Sequence, residues 1–423
     1  MKILSISFGN FFSFYKEQCL NFSDSLKRLE GDPRFETLPN RINVSLTSVI
    51  LGPNGSGKTN CLKPLLFLAW FISSSATSLN QKQKIPFDRF RFTEDNKEPS
   101  NFSITFEHKE KTYLYDLSID HTMSIVLYEE LSVLNYTTSR FSYIIRRKYL
   151  EKNKSEEINK QGINISIRAL KEYLRPNCSI VSASKKLSDS GLENIIDAFE
   201  NIYGNVNFHG RTNSETDAIY EAVNIYESDM KLKNKLIELM SDLDLGISGM
   251  RFDKIKYSSL PEKLLSSLKK DIEGFDAEKF KHFTIVNAIH SIENKQYELS
   301  LLSESGGTKS LFCLLAHIIP ALMNGGVAVI DEVELGLHPY MVEKLVKYFL
   351  EPGSNPNRAQ LICTTHTANV IELLDGSQIL FVEKDEDSLQ SEIWKLSDIK
   401  GVLPRDNFFK GYLSGRYGAV PKV

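Results

Sequence analysis

Gly52-Pro53-Asn54-Gly55-Ser56-Gly57-Lys58-Thr59 fits the Walker A pattern G-x-x-x-x-G-K-[ST] and lies between two apolar stretches. Ser48-Val49-Ile50-Leu51 before it reads as a strand; Leu62 and residues 65–72 after it read as a helix. That strand–loop–helix setting gives the pattern a physical meaning. Glycines let the loop curl so that successive backbone N–H groups point inward at phosphate oxygens, at the positive end of a helix. The expected cradle for ATP is Asn54, Gly55, Ser56, Gly57, Lys58 and Thr59. Lys58 can reach the β- and γ-phosphates, and the Thr59 hydroxyl can ligate Mg²⁺. A turn that binds nothing has no use for Lys-Thr at that place. Pro64, early in the helix, removes a donor and crowds the carbonyl of Asn60, which predicts a kink downstream of the cradle.

The chain has 423 residues, which suits two coupled lobes or a head with an insertion. Hydrophobic content of 41% and charged content of 25% are those of an ordinary soluble globular protein. The formal net charge of −3 gives no global basic field for nucleic acid, which leaves only a local basic patch open. Cys19, Cys61, Cys178, Cys313 and Cys363 are scattered without a C-x-x-C pair. Reduced thiols are expected, with neither a disulfide framework nor a zinc site. No apolar run approaches the roughly 20 residues that span a bilayer, so no membrane partner is expected. Met1-Lys2-Ile3-Leu4-Ser5 reads as a strand and lacks the regions of a signal peptide. The expected location is the cytoplasm.

Leu4, Ile6 and Phe8 alternate with serines as in a half-buried first strand. Phe102, Ile104 and Phe106, then Tyr113, Tyr115, Leu117 and Ile119, alternate around a polar turn at 107–110 and read as a β-hairpin. Residues 125–133 continue this strand-rich section. From about Phe141 the character changes, with Arg146-Arg147-Lys148 opening a charged stretch to Lys160. Helical spacing follows at Ile195, Ile196, Phe199, Ile202 and Tyr203, and again at Leu232, Leu236, Leu239, Met240 and Leu243, stopping near Gly246. Strands and helices then alternate: 297–301, 311–322, 327–330, 342–349, 361–365 and 379–382. The fold class expected is α/β, a P-loop mixed sheet with a β-rich N-terminal lobe and a mostly helical insertion. The corresponding division is 1–135 for the N-terminal lobe, 136–285 for the insertion and 286–423 for the C-terminal lobe.

Three later segments narrow the class. Val327-Ala328-Val329-Ile330-Asp331-Glu332 is an apolar strand ending in two carboxylates, at the sheet edge where ligands of open α/β sheets bind. There Asp331 would hold Mg²⁺ and Glu332 would orient or deprotonate the attacking water. Ser305-Gly306-Gly307 opens a helix about one helix upstream of that strand, a second anion-binding terminus. Thr364-Thr365-His366 ends the next strand. Taken alone, a lone His is more often structural; its place after the Asp-Glu strand favours a role at the phosphates. No Q-loop can be chosen among Gln81, Gln83 and 86–90.

Together these motifs resemble the SMC-like branch of ABC ATPases, specifically the bacterial AAA-type proteins grouped with the OLD family and abortive-infection ATPases. Asn10-Phe11-Phe12-Ser13-Phe14 is similar to the Asn-Phe-Arg-Ser-Phe opening of that group, with Phe12 in place of Arg. Thr59-Asn60, Pro86-Phe87-x-x-Phe90, Glu304-Ser305-x-Gly307-Thr308-Lys309 and the segment 412–421 are similar to family segments too. The resemblance implies an ABC/SMC-type ATPase head. In such a head Ser305, Gly306 and Gly307 are the signature that touches the γ-phosphate on an opposite protomer, with Thr308 here where Gln is usual. Residues 334–339 take the place of the D-loop, and His366 that of the switch residue. Catalytic roles then fall to Lys58, Glu332 and His366. Hydrolysis would need a homodimer or a higher oligomer, with ATP as glue between subunits.

The resemblance further implies a nucleotide-controlled sensor or scaffold of a bacterial anti-phage system, acting on a separate toxin or nuclease effector. OLD nucleases carry a Toprim domain on the same chain, which needs roughly 100 residues, the size of a small domain. Only a short segment follows His366, so the nuclease is expected on another polypeptide. The alternative is a RecF- or SMC-like repair or chromosome-maintenance ATPase that grips DNA in its closed dimer. Arg146-Arg147-Lys148, Lys152 and Lys154 would then meet phosphates, although interleaved Glu151, Glu156 and Glu157 favour a solvated charged loop. A transporter ATPase fits this signature poorly.

Overall fold

The computed structural model describes residues 1–25, 31–93, 96–152, 154–207, 210–211, 215–243, 246–256, 282–293 and 295–421. The chain divides into two units: Met1–Arg211 with Ala321–Val333 and Leu345–Val423, and Thr212–Pro320 with Glu334–Lys344.

In the first unit, strand Thr47–Leu51 is buried at every position and runs through the P-loop into helix Lys58–Ser78. Strands Ile202–Gly204, Val327–Ile330, Gln360–Thr364, Thr47–Leu51 and Ile379–Lys384 form a parallel series in that order, closed by antiparallel Ser391–Lys395. Continuous apolar runs such as Val-Ala-Val-Ile suit parallel strands covered on both faces. The second sheet has seven antiparallel strands, with Lys2–Gly9 between Gln18–Asn21 and Ser100–His108. The hairpin of Ser100–His108 and Lys111–Asp120 turns at Lys109 and Glu110, both at positive φ, as a two-residue hairpin loop requires. Ile125–Asn135, Arg140–Leu150 and Ser155–Lys160 extend this sheet.

One core joins both sheets through the P-loop helix. Ile6, Phe8, Phe102 and Ile104 from the antiparallel sheet cluster with Leu62, Leu65, Leu68, Phe71 and Ile72 of the helix and with Ile50, Val329 and Ile362. That explains why the helix is apolar around most of its circumference. It also runs unbroken past Pro64, so the sequence-derived kink does not interrupt it. Pro64 itself is buried in the core.

The expected helical insertion does not begin at 136. Residues 140–150 and 155–160 are strands of the antiparallel sheet. Their alternation is hidden because the inward position 147 carries a charge. Arg147 is 1% exposed and donates from Nε to Glu129 Oε2 at 2.8 Å, while Glu129 also accepts from Tyr115 Oη and Ser179 Oγ. Arg147 therefore belongs neither to a solvated loop nor to a phosphate-binding surface. Regular helix appears later, at Ile167–Tyr173, Ile180–Ser184, Glu193–Glu200, Glu215–Ser228 and Met230–Asp242. Residues 257–281 of the expected insertion lie outside the described residues.

The second unit pairs helices Glu215–Ser228 and Met230–Asp242 with a three-stranded antiparallel sheet of Gly249–Lys256, His282–Ile292 and Lys295–Ser300. Tyr226 is fully buried against Phe312 and donates to its carbonyl at 2.8 Å. The helix Gly306–Asn324, whose first fifteen residues belong to this unit, is long and apolar enough to cross a membrane by length and composition. No segment was expected to be. About three-fifths of it is buried, as in the core helix of a folded protein.

Candidate functional site

The P-loop starts where Gly52 leaves its strand. A Cβ at Gly52 would lie 2.2 Å from the Val382 carbonyl, so only glycine lets the loop turn this close to the neighbouring strand. Asn54 and Gly55 form an exposed lip, Ser56 is buried, and Gly57 takes a left-handed φ of 107° just before the helix. Lys58 is buried, and its Nζ donates to the carbonyls of Gly52 at 2.9 Å and Pro53 at 3.0 Å. An ammonium folded back on the carbonyls of its own loop is positioned to exchange them for phosphate oxygens.

Thr59 faces the end of strand Val327–Ile330. Its hydroxyl donates to Asp331 Oδ2 at 2.8 Å, and Thr364 Oγ1 donates to Asp331 Oδ1 at 2.6 Å. The main chain of Asp331 is held as well: its N–H donates to Asn205 Oδ1 at 2.8 Å, and Asn205 Nδ2 donates to its carbonyl at 2.9 Å. Strand order explains the meeting. Gln360–Thr364 lies between the P-loop strand and Val327–Ile330, pairing Thr364 with Ile50 and Ile330 with Cys363. Residues 272 apart in sequence thus share one sheet edge. Thr59 and Asp331 supply hard oxygen donors, the set that suits Mg²⁺.

Glu332, next to Asp331, is half-buried and has φ of 47°, while its N–H donates to Thr364 Oγ1 at 2.7 Å. A left-handed glutamate at a strand end is the kind of strain that gathers at functional sites. His366 is exposed two residues beyond Thr364, and the Thr365 N–H reaches the Ile50 carbonyl at 3.2 Å.

Ser305, Gly306 and Gly307 lie in the second unit. Ser305 Oγ accepts from the Thr308 N–H at 3.1 Å and sits 2.8 Å from the Thr308 hydroxyl. It caps its own helix, and Ser305 and Gly306 are exposed. A Cβ at Gly307 would lie 2.7 Å from the Gly336 carbonyl, so the signature and the expected D-loop touch backbone to backbone. Glu304 is tied to the three-stranded sheet by His290 Nε2 at 2.8 Å, and His290 Nδ1 is 2.9 Å from the Gly246 carbonyl.

Several neighbours had no signal in the spacing. Asn205 is a lone Asn with no motif around it. Lys63 is buried with its Nζ 3.8 Å from the centre of the Phe12 ring, at the residue that replaces the expected Arg. Burial lowers the Lys63 pKa, opposed by the charges of Asp331 and Asp88. Burial also pushes the Cys61 thiol well up, with Asp331 adding to it, so Cys61 is an unreactive core residue. Of the Q-loop candidates, Gln81 and Gln83 are exposed, whereas the 86–90 segment lies along the Asn10–Phe12 turn, Asp88 accepting from the Phe12 N–H at 2.8 Å.

No curated protein matches the chain in sequence. Among solved structures it is similar to an SMC head bound to the C-winged helix domain of ScpA, at 13% identity over 97% of this chain and 100% of that one, with a TM-score of 0.46. The SMC head from Thermotoga maritima is similar at 14% identity, covering 93% and 99% of the two chains with a TM-score of 0.43. The head from Pyrococcus furiosus with an extended coiled coil, bound to the C-terminal domain of ScpA, is 13% identical, with coverage of 98% and 99% and a TM-score of 0.43. The family model described as "AAA domain, putative AbiEii toxin, Type IV TA system" matches residues 48–372, from the P-loop strand to beyond His366. With a P-loop mixed sheet joined to a β-rich lobe, the chain belongs to this family of AAA-domain proteins.

Proposed function

We propose that this protein binds and hydrolyses ATP at the P-loop and works in the cytoplasm as the nucleotide-controlled subunit of an anti-phage, abortive-infection system. The observation that carries the enzymatic part is the convergence of Lys58, Thr59, Asp331 and Thr364 on one sheet edge. Backbone N–H groups from Asn54 to Thr59 would cradle the phosphates, and Lys58 would leave its two carbonyls for the β- and γ-phosphate oxygens. Thr59 and Asp331 would hold Mg²⁺, which when bound neutralises charge on those oxygens. Glu332 is the base that takes a proton from the attacking water, and His366 contacts the γ-phosphate. Ser305, Gly306 and Gly307 would complete the site of a second copy, so that turnover depends on self-association.

The defence role rests on the resemblance to OLD-group and abortive-infection ATPases and on the toxin–antitoxin wording of the matched family. In this reading the effector is a separate toxin or nuclease. The competing DNA-gripping reading is weakened because its central basic residue, Arg147, is sequestered by Glu129.

The test is Glu332→Gln protein isolated from its own host and examined by native mass spectrometry with and without ATP and Mg²⁺. This variant should bind ATP yet turn it over at least about 100-fold more slowly, the size of losing a general base. An ATP-dependent assembly with a stoichiometric second protein is the expected result. A bare dimer carrying nucleic acid would overturn the defence reading, and undiminished turnover would move the base elsewhere.

A further inference from the structure

We infer that Ser13 and Ser391 form a hydroxyl clamp that holds the P-loop in its phosphate-binding conformation, which makes Ser391 a positioning residue for the nucleotide. The inference rests on the nucleotide reading of that loop given above. Both serines lie outside the matched family segment, 378 residues apart, and both are buried.

Four groups stand in a row. Asn60 Nδ2 donates to Ser13 Oγ at 3.0 Å, Ser13 Oγ is 2.9 Å from Ser391 Oγ, and Ser391 Oγ is 2.6 Å from the Ser56 carbonyl oxygen. Valence fixes the direction. The Ser56 carbonyl can only accept, and Ser391 has one hydroxyl hydrogen, so Ser391 donates to the carbonyl. The hydrogen of Ser13 is then the one that fills the Ser391 oxygen. The result is an unbroken donor chain from the first turn of the P-loop helix to the loop that precedes it, of the kind in which each bond strengthens the next. The Ser391 N–H also donates to the Ser13 carbonyl at 2.8 Å, which keeps the two segments in register.

The chain acts on one peptide plane. In a trans planar peptide the N–H points opposite to the preceding C=O. Drawing the Ser56 carbonyl out toward Ser391 therefore turns the Gly57 N–H to the other side, where a phosphate-binding loop presents its donors. The side chain of Ser56 cannot do this, because its buried Oγ has no hydrogen-bond partner. The clamp also explains Gly57 beyond its φ. A Cβ there would lie 2.5 Å from Ser391 Oγ and 2.8 Å from Ser13 Oγ, so the two hydroxyls occupy the space that any side chain would need.

The experiment is calorimetric titration of the full chain with a non-hydrolysable ATP analogue and Mg²⁺, together with steady-state ATPase kinetics. Ser391→Ala should bind about tenfold more weakly and raise KM by a similar factor with kcat within twofold, the effect of losing one buried hydrogen bond to the loop. Ser391→Thr keeps the hydroxyl and should restore affinity. Ser13→Ala should also weaken binding, and the double variant should be no weaker than Ser391→Ala alone, because one chain cannot be broken twice. Wild-type affinity in Ser391→Ala overturns the clamp, as does a loss that Ser391→Thr fails to rescue. Absence of binding by the wild-type protein would instead overturn the nucleotide reading beneath it.

Discussion

Lys58 is the residue on which the nucleotide reading turns, because its ammonium is buried and donates to two carbonyls of its own loop. Lys58→Ala should abolish ATP binding in equilibrium dialysis while leaving the circular dichroism spectrum unchanged; affinity near that of the wild type would remove the P-loop assignment. His108 supports a pH prediction. Burial lowers its pKa to about 4, helped by the N-terminal ammonium, Lys109 and Lys2 and opposed by Asp197, and its Nε2 is buried without a partner. The folded state thus resists protonation that the unfolded chain accepts near pH 6.5. The unfolded state then binds more protons below that value, so this stability is full above pH 6.5 and is lost as pH falls toward 4. Thermal midpoints measured from pH 4 to 7 should rise, with a shallower rise over that window in His108→Gln. At this scale Lys58, Thr59, Asp331 and Glu332 could be named from spacing, since each belongs to a motif with a mechanism. Asn205 and Ser391 could not, since a polar side chain that meets the site from a distant segment leaves no local pattern, and Ser13 stands out only as part of the Asn10–Phe14 resemblance, with no role attached to it.

Among elements, the seven-stranded sheet holds the least legible feature. Arg140–Leu150 reads as a charged stretch because Arg147 occupies an inward position that alternation reserves for an apolar residue. Glu129 compensates it while accepting from Tyr115, Ser179 and the Ile180 N–H, and Ser75 of the P-loop helix accepts from the Ser179 N–H at 2.9 Å. The network therefore couples the antiparallel sheet to the far end of the helix that carries Lys58. Arg147→Met leaves a buried carboxylate without its counter-charge and should destabilise the first unit by about 3–5 kcal/mol. Urea unfolding followed by tryptophan fluorescence checks it, and a midpoint equal to that of the wild type would show that the pair contributes no stability. The parallel strands, by contrast, were legible except for Ile202–Gly204, which helical spacing continues from Ile195 although the helix ends at Glu200; the others are continuous apolar runs whose bounding turns carry Gly, Asp or Asn.

For the whole molecule, the motif order P-loop, signature, Asp-Glu strand and His already implied an α/β head, and the described sheets have that architecture. The chain by itself determined the strand–loop–helix of the Walker A segment, the acidic strand end and the alternation of the first hairpin, because each depends on contacts within a few residues. Tertiary structure decided what depends on contacts across hundreds of residues. It set the strand order that brings Thr59 and Thr364 onto the two carboxylate oxygens of Asp331, and it buried Arg147 against Glu129. It also seated Lys63 on the ring of Phe12, the residue that stands in place of Arg in the resembled opening. Such pairings are chosen by packing and by the need to satisfy buried polar groups, and neither is written in the local order of residues.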